Sequence, residues 1–243
     1  MAEAPRMTDL LGREIEQVYE VYPDLNFSDD SRGDLTVKGT FPVVHEDVVL
    51  DRYKMFMSVP REYPRCMPVL RETGNRIPRS MDRHINSDGT ACLFVPDELA
   101  KWLPEGSTML DLLRGPVHSF FLSQTYFERT RSWPFGERPH GYAGVLHAYA
   151  EVVESTDVGV GRRVMEVMAM KKANKRMLCP CGSGKRLLHC HLKEIASAAE
   201  VFSPDVAAAS LGNMANIKHA PPNGGASLMS LLRQWRGRGR GAR

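Results

Sequence analysis

The stretch Cys179-Pro-Cys181-Gly-Ser-Gly-Lys-Arg-Leu-Leu-His-Cys190-His191 constrains the chain most, because its side chains leave few ways to fold. The spacing C-x-C-x8-C-H gathers three thiols and one imidazole across a tight Gly-Ser-Gly turn, a complete tetrahedral ligand set for zinc. Four protein ligands leave no open position. The expected ion is therefore a structural Zn2+ held by Cys179, Cys181, Cys190 and His191, and it gives so short a segment a fold it could not otherwise stabilise. His189 is a spare imidazole beside them. The Gly-Ser-Gly-Lys run is not a nucleotide cradle, since that pattern needs four residues between its glycines and only Ser183 separates Gly182 from Gly184.

The other two cysteines, Cys66 and Cys92, stand apart, which in a reducing compartment favours metal ligation over disulfides for the cluster. The first residues lack the apolar run of a secretory signal, and no stretch approaches the roughly 18 apolar residues of a membrane span, so a cytoplasmic protein with no membrane association is expected. A net charge of +3 is too small to imply a nucleic-acid partner.

Periodicity gives an α+β order. Leu10, Leu11, Ile15, Val18, Tyr19 and Tyr22 recur at helical steps, predicting a helix from Met7 to Val21 that Pro23 ends. Alternation over Leu35–Phe41, Asp47–Leu50, Tyr53–Val59 and Val69–Thr73 predicts a four-stranded antiparallel meander, with Pro42 and Pro60 closing two strands. A long irregular loop follows from Gly74 to Glu105, and loops of that length inside a domain usually carry function. Helical periodicity returns at Met109–Gln124, Gly144–Glu154 and Gly159–Arg176.

Within the loop, Arg83-His-Ile-Asn-Ser-Asp-Gly-Thr-Ala-Cys-Leu93 ends in a cysteine just after a turn built by Asn86, Asp88 and Gly89. Cysteine suits acyl transfer near neutral pH, because its thiolate is accessible and its thioester stays reactive toward amines. An amide or imidazole would stabilise the oxyanion, and His84 and Asn86 are the local candidates. His140, in a Pro-His-Gly turn before a helix, reads as a cap or packing residue; Trp102 and Trp133 read as anchors.

The order of features over roughly Met7 to Glu154 resembles the ubiquitin-conjugating enzyme family. It runs helix, meander, Tyr63-Pro64 with Pro68, the loop ending Gly-Thr-Ala-Cys92-Leu93, then Trp102 and Pro104 before a helix. Arg76-Ile-Pro-Arg79, Asp82-Arg-His84 and Trp133, Gly136, Glu137, His140 and Gly141 look like the prokaryotic branch found in antiviral and ubiquitin-like operons. The resemblance implies a ubiquitin-conjugating-like fold in which Cys92 accepts a protein C-terminus as a thioester and passes it to an amine. It implies as partners a ubiquitin-activating-like enzyme and a ubiquitin-like modifier, or a cGAS-like nucleotidyltransferase. The family's His-Pro-Asn is replaced here by Asp82, Arg83 and His84, which leaves two readings: His84 takes the role of Asn, or His84 and Asn86 form a shortened His-x-Asn. The missing motif also supports an alternative, a catalytically inactive binding module that recruits partners through the knuckle. The cysteine cluster closely resembles the SEC-C motif, a small zinc module.

These readings divide the chain into a conjugating-like domain (1–156), a basic helical linker (157–176), the zinc module (177–194) and a flexible tail (195–243). The tail carries a short amphipathic turn at Leu228–Trp235 and ends in Arg236-Gly-Arg-Gly-Arg-Gly241, a cationic string able to contact nucleic acid or an acidic protein surface.

Overall fold

The computed structural model describes residues 6–134, 136–170 and 172–217. They form two compact units: residues 6–94 with 99–137, and residues 95–98 with 138–217. The boundary differs from the expected one at 156, because the helices on either side of that position pack within the second unit.

The first unit begins with α1 (Met7–Leu10) and α2 (Gly12–Val21), the expected single helix interrupted at Leu11. The sheet follows, with β1 (Leu25–Asp29), β2 (Leu35–His45), β3 (Val48–Val59) and β4 (Val69–Glu72) paired antiparallel in sequence order. The meander has four strands, but not the expected four. Leu25–Asp29, too polar to signal a strand, is β1, while the two segments expected at 47–50 and 53–59 are one continuous β3.

Pro42 does not end β2 either. β1 pairs only as far as Gly39, so Pro42 lies where β2 has a strand neighbour on one side only, and an edge position tolerates its missing N–H. The β2–β3 hairpin turns at Glu46 and Asp47, both with positive φ (48° and 62°), the geometry of a two-residue type I′ turn. Val43 pairs Asp51 and Val44 pairs Val49, so Leu50 is the extra residue of a bulge, which hid the alternation.

One face of the sheet is covered. Tyr53, Met55, Met57 and Val59 alternate inward along β3, and Phe41 and Val43 join them from β2. Against them packs a long helical run: α4 (Met109–Leu112), a π turn (Leu113–Val117) that accommodates Pro116, and α5 (His118–Thr130). Phe121 of α5 stacks on Tyr53 with ring centroids 4.7 Å apart, and Tyr22 stacks on Phe41 at 5.1 Å. A short helix, α3 (Leu99–Trp102), places Trp102 against Phe94 at 5.8 Å.

The second unit is helical, with α6 (Gly141–Glu151), α7 (Val158–Met168), α8 (Leu192–Ala198) and α9 (Pro204–Ile217). Asp157 caps α7, its Oδ1 accepting from the amides of Gly159 and Val160 at 2.6 and 3.1 Å. α6 and α7 approach closely at Gly161, where a Cβ would lie 1.9 Å from the Leu146 carbonyl oxygen. The segment expected as a tail from residue 195 is thus helical as far as Ile217, with Phe202 and Ala207 buried in this unit's core. The amphipathic turn at Leu228–Trp235 and the Arg/Gly end lie outside the described residues. No helix among the described residues is long and apolar enough to cross a membrane.

Candidate functional sites: the Cys92 loop and the cysteine knuckle

The loop leading to Cys92 is a small hairpin. A 3-10 turn (Met81–Arg83) ends at His84 in the left-handed region, φ 50°. Ile85 then bridges Ala91, the Asn86 amide donates to the Thr90 carbonyl at 2.8 Å, and the Cys92 amide donates to the His84 carbonyl at 2.8 Å. Ile85 and Ala91 point inward and are buried. Cys92 is the one exposed cysteine of the five. The protein packed beneath it raises its thiol pKa above the ordinary value by desolvation.

Side chains brace the tip. Asp88 Oδ1 accepts from the Thr90 hydroxyl at 2.6 Å and from the Thr90 amide at 3.1 Å, Gly89 takes φ 79°, and the Arg71 guanidinium donates to the Asp88 carbonyl. Ala91 N–H donates to the Leu70 carbonyl at 2.8 Å, tying the hairpin to β4. At the base, the Arg83 Nε and Nη2 atoms donate to Gln124 Oε1 at 3.0 and 2.8 Å, and Gln124 Nε2 returns a bond to the Arg83 carbonyl at 2.9 Å. Both residues are buried, and the guanidinium also lies 4.7 Å from the Phe127 ring centroid.

The expected catalytic partners have defined positions. The Asn86 amide group donates to Thr90 Oγ1 at 3.0 Å, so it serves the turn. The His84 ring packs edge-on to Trp133 at 4.6 Å, while its carbonyl fixes the backbone of Cys92. The amide of Cys92 is itself occupied by that carbonyl. His140 is the N-cap residue of α6, as its Pro-His-Gly context suggests. The Arg83–Gln124 clamp was not anticipated: an arginine and a glutamine far apart in sequence carry no local signal of pairing.

In the second unit, Leu178 bridges Arg186, and Cys179 N–H donates to the Lys185 carbonyl at 2.8 Å. Gly182 and Gly184 both take positive φ, 85° and 75°, in the tight turn between these two short segments. A 3-10 turn (Leu187–His189) then carries Cys190 and His191 back toward the turn, and His191 starts α8. Ligand atoms of Cys179, Cys181, Cys190 and His191 all lie within 4.8 Å of one another, an arrangement that can hold a metal ion. Cys179 Sγ and Cys190 Sγ each stand 3.3 Å from His191 Nδ1, and Cys181 Sγ stands 3.6 Å from Cys190 Sγ. That sulfur separation is far beyond the ~2.05 Å of a disulfide.

Burial opposes ionisation of Cys181, but hydrogen bonds from Ser183 and the adjoining thiols lower its pKa to about 6. Burial raises Cys179 to about 11. His189 is exposed and outside the cluster. Arg163 of α7 donates to the Pro180 carbonyl at 2.9 Å, and Cys179 and Leu187 are buried in the second core, so the knuckle is part of this unit.

No protein-family model matches the chain, and no curated protein matches it. Among solved structures, the yeast vps23 UEV domain in complex with a vps27 PSDP peptide aligns over 47% of this chain and 81% of its own, at 16% identity and a TM-score of 0.33. A complex of the Vps23 UEV with ubiquitin aligns over 48% and 84%, at 16% identity and a TM-score of 0.32. Scores this low support no argument about fold or function.

Proposed function

We propose that the first unit is a ubiquitin-conjugating-like domain whose Cys92 carries a protein C-terminus as a thioester and transfers it to an amine. The observation that carries this reading is the setting of Cys92: the one exposed cysteine ends a hairpin whose other side is buried and whose tip and base are hydrogen-bonded to β4 and α5. A thiol so held stays in one place without being covered. In the first step the Cys92 thiolate attacks the thioester carbonyl on a ubiquitin-activating-like enzyme, forms the new C–S bond and releases that enzyme's thiolate. In the second an amine attacks, the C–S bond breaks, and the amine's proton leaves as an amide forms and the Cys92 thiol is restored. His84 acts here as a positioning residue through its carbonyl, and Asn86 through the turn it closes. The antiviral setting, with a ubiquitin-like modifier or a cGAS-like nucleotidyltransferase as partner, rests on the sequence resemblance.

A non-transferring binding module remains the second reading. It is favoured by the engagement of the Cys92 backbone N–H with the His84 carbonyl, which removes that N–H as an oxyanion donor in this conformation, and by the commitment of one side-chain N–H of Asn86 to Thr90. The two readings separate on a charging assay with activating enzyme, modifier and ATP, run on non-reducing gels. Transfer predicts a thiol-cleavable band that Cys66→Ser keeps and Cys92→Ser loses. No band from a charging system competent on another carrier supports the binding module.

For the knuckle we propose a structural zinc ion. Zinc–sulfur bonds of ~2.3 Å and zinc–nitrogen bonds of ~2.0 Å in a tetrahedron require ligand edges of roughly 3.5–3.8 Å. Three of the six separations among the cluster atoms, 3.3, 3.3 and 3.6 Å, lie close to those edges, and all six are within 4.8 Å. Three thiolates with one imidazole suit zinc, whose charge would hold all three cysteines deprotonated.

A further inference from the structure

Beside the tip of the Cys92 hairpin, and wholly within the first unit, lies a cavity of about 200 Å³. Ile77, Pro78 and Ile85 give it an apolar wall, and Arg79, Glu72 and Gly89 complete the lining. Two guanidiniums converge at Gly89. Arg71 Nη1 lies 3.2 Å, and the Nε and Cζ atoms of Arg79 lie 3.6 Å, from the point that a Cβ on Gly89 would occupy. A side chain there would fill the space between them, and the φ of 79° favours glycine in any case.

The carboxylate of the lining does not neutralise these charges. Glu72 Oε1 accepts from the Gly74 amide at 2.6 Å and Oε2 from the Arg76 amide at 3.0 Å, so Glu72 serves the turn that follows β4. Arg71 donates to the Asp88 carbonyl, a neutral acceptor, while Asp88 Oδ1 is taken by Thr90. Among the described residues neither Arg71 nor Arg79 forms an ion pair. Two like charges gathered at one point, with apolar residues behind them, suit a carboxylate carried on a short aliphatic stem. The cavity is smaller than the ~300–1,000 Å³ of small-molecule pockets, which favours a single side chain over a free ligand.

Its place in the chain says whose side chain that is. Gly89 is three residues from Cys92, and three residues span at most about 11 Å even when fully extended. A polypeptide joined by its C-terminus to Cys92 and lying extended toward the hairpin tip therefore brings roughly its third to fifth residue from the end to the cavity. We propose that Arg71 and Arg79 form a specificity site for an acidic side chain close to the C-terminus of the protein that Cys92 carries. The meaning of the site rests on Cys92 being the acyl carrier. Binding of the segment is tested without any transfer reaction.

The test follows backbone amide shifts of the full chain by NMR while acetylated, C-terminally amidated hexapeptides ending in Gly-Gly are added, with Glu, Gln or Lys fourth from the end. The Glu peptide should shift Gly89 and Arg79 and bind about tenfold tighter than the Gln peptide, the scale of a charge-assisted hydrogen bond, and salt should narrow the gap. Arg71 braces the hairpin tip, so the exposed Arg79 is the deciding position. Arg79→Gln should erase the preference for Glu and leave the rest of the spectrum in place, and Arg79→Glu should turn the preference toward the Lys peptide. Equal binding of the three peptides, or a Glu preference that survives Arg79→Gln, overturns the proposal. So does inorganic phosphate if it shifts these amides at lower concentration than the Glu peptide, because the site then belongs to a free anion. If the Glu peptide binds as expected and no thioester forms on Cys92, the carrier reading fails and the acidic-segment site stands; if Cys92 is charged and the peptides bind alike, this proposal alone fails.

Discussion

Replacing Arg83 with Ala removes the clamp beneath the Cys92 hairpin, and the structure fixes how much that should cost. The guanidinium makes two hydrogen bonds to a Gln124 oxygen that is completely buried, so deletion strands that oxygen without water. A buried polar atom left unsatisfied costs about 1–3 kcal/mol, and loss of the partly desolvated cation–π contact with Phe127 adds about 1 kcal/mol. The nearby Glu128, 3.5 Å from the guanidinium and a quarter exposed, adds little. The first unit should therefore lose about 2–4 kcal/mol.

With a urea slope near ~2 kcal/mol/M, that lowers the midpoint by about 1–2 M. Tryptophan fluorescence is a suitable probe because Trp102 and Trp133 both belong to the first unit. A double-mutant cycle with Gln124→Ala isolates the pair, and a hydrogen bond to a charged group predicts a coupling of about 1.5–3 kcal/mol. A coupling below about 0.5 kcal/mol would refute the view that Arg83 and Gln124 hold the hairpin to α5.

Metal analysis of the purified chain should find one zinc per molecule. Cys190→Ser should reduce this severely and lower the thermal midpoint of the second unit. Alkylation of Cys92 should rise about tenfold per pH unit, with a midpoint above that of a free cysteine thiol, because desolvation favours the neutral form and the thiolate appears only at higher pH. A midpoint below that of free cysteine would contradict desolvation as the dominant influence on the Cys92 thiol. Gly161→Ala should destabilise the second unit by about 1–3 kcal/mol or more, since its methyl would meet the Leu146 carbonyl and force α6 and α7 apart; denaturation followed by circular dichroism reads the change.

The cysteine cluster was legible because its residue types, their spacing and the turn glycines all sit in one short stretch, and the fold brings the expected four residues together in an arrangement that could hold a metal ion. The α+β order and the antiparallel meander were legible for a similar reason, since Tyr53, Met55, Met57 and Val59 show their alternation directly. What was misread depended on partners. Leu25–Asp29 is a strand because Leu35–Gly39 lies beside it, Pro42 is tolerated because β1 stops short, and Leu50 is a bulge whose cause is the register across the hairpin. The sequence of α9 reads as tail because its alanines and glycine carry no strong amphipathic signal. Its burial of Ala207 and its bond from Ser210 to Asp97 join residues more than a hundred positions apart. In the Cys92 loop the cysteine that ends the turn stood out in the sequence, and the structure shows it exposed. The tasks of Asn86 and His84 were set by hydrogen bonds that residue types alone do not specify.

The most direct test of the central claim is the intact mass of the full chain after incubation with a competent activating enzyme, modifier and ATP, for wild type and Cys92→Ser, with and without added thiol. One modifier should add to wild type and be removed by thiol, and Cys92→Ser should carry either no adduct or a thiol-resistant ester. A thiol-sensitive adduct that persists on Cys92→Ser, or none on wild type under conditions that charge another carrier, would contradict that claim.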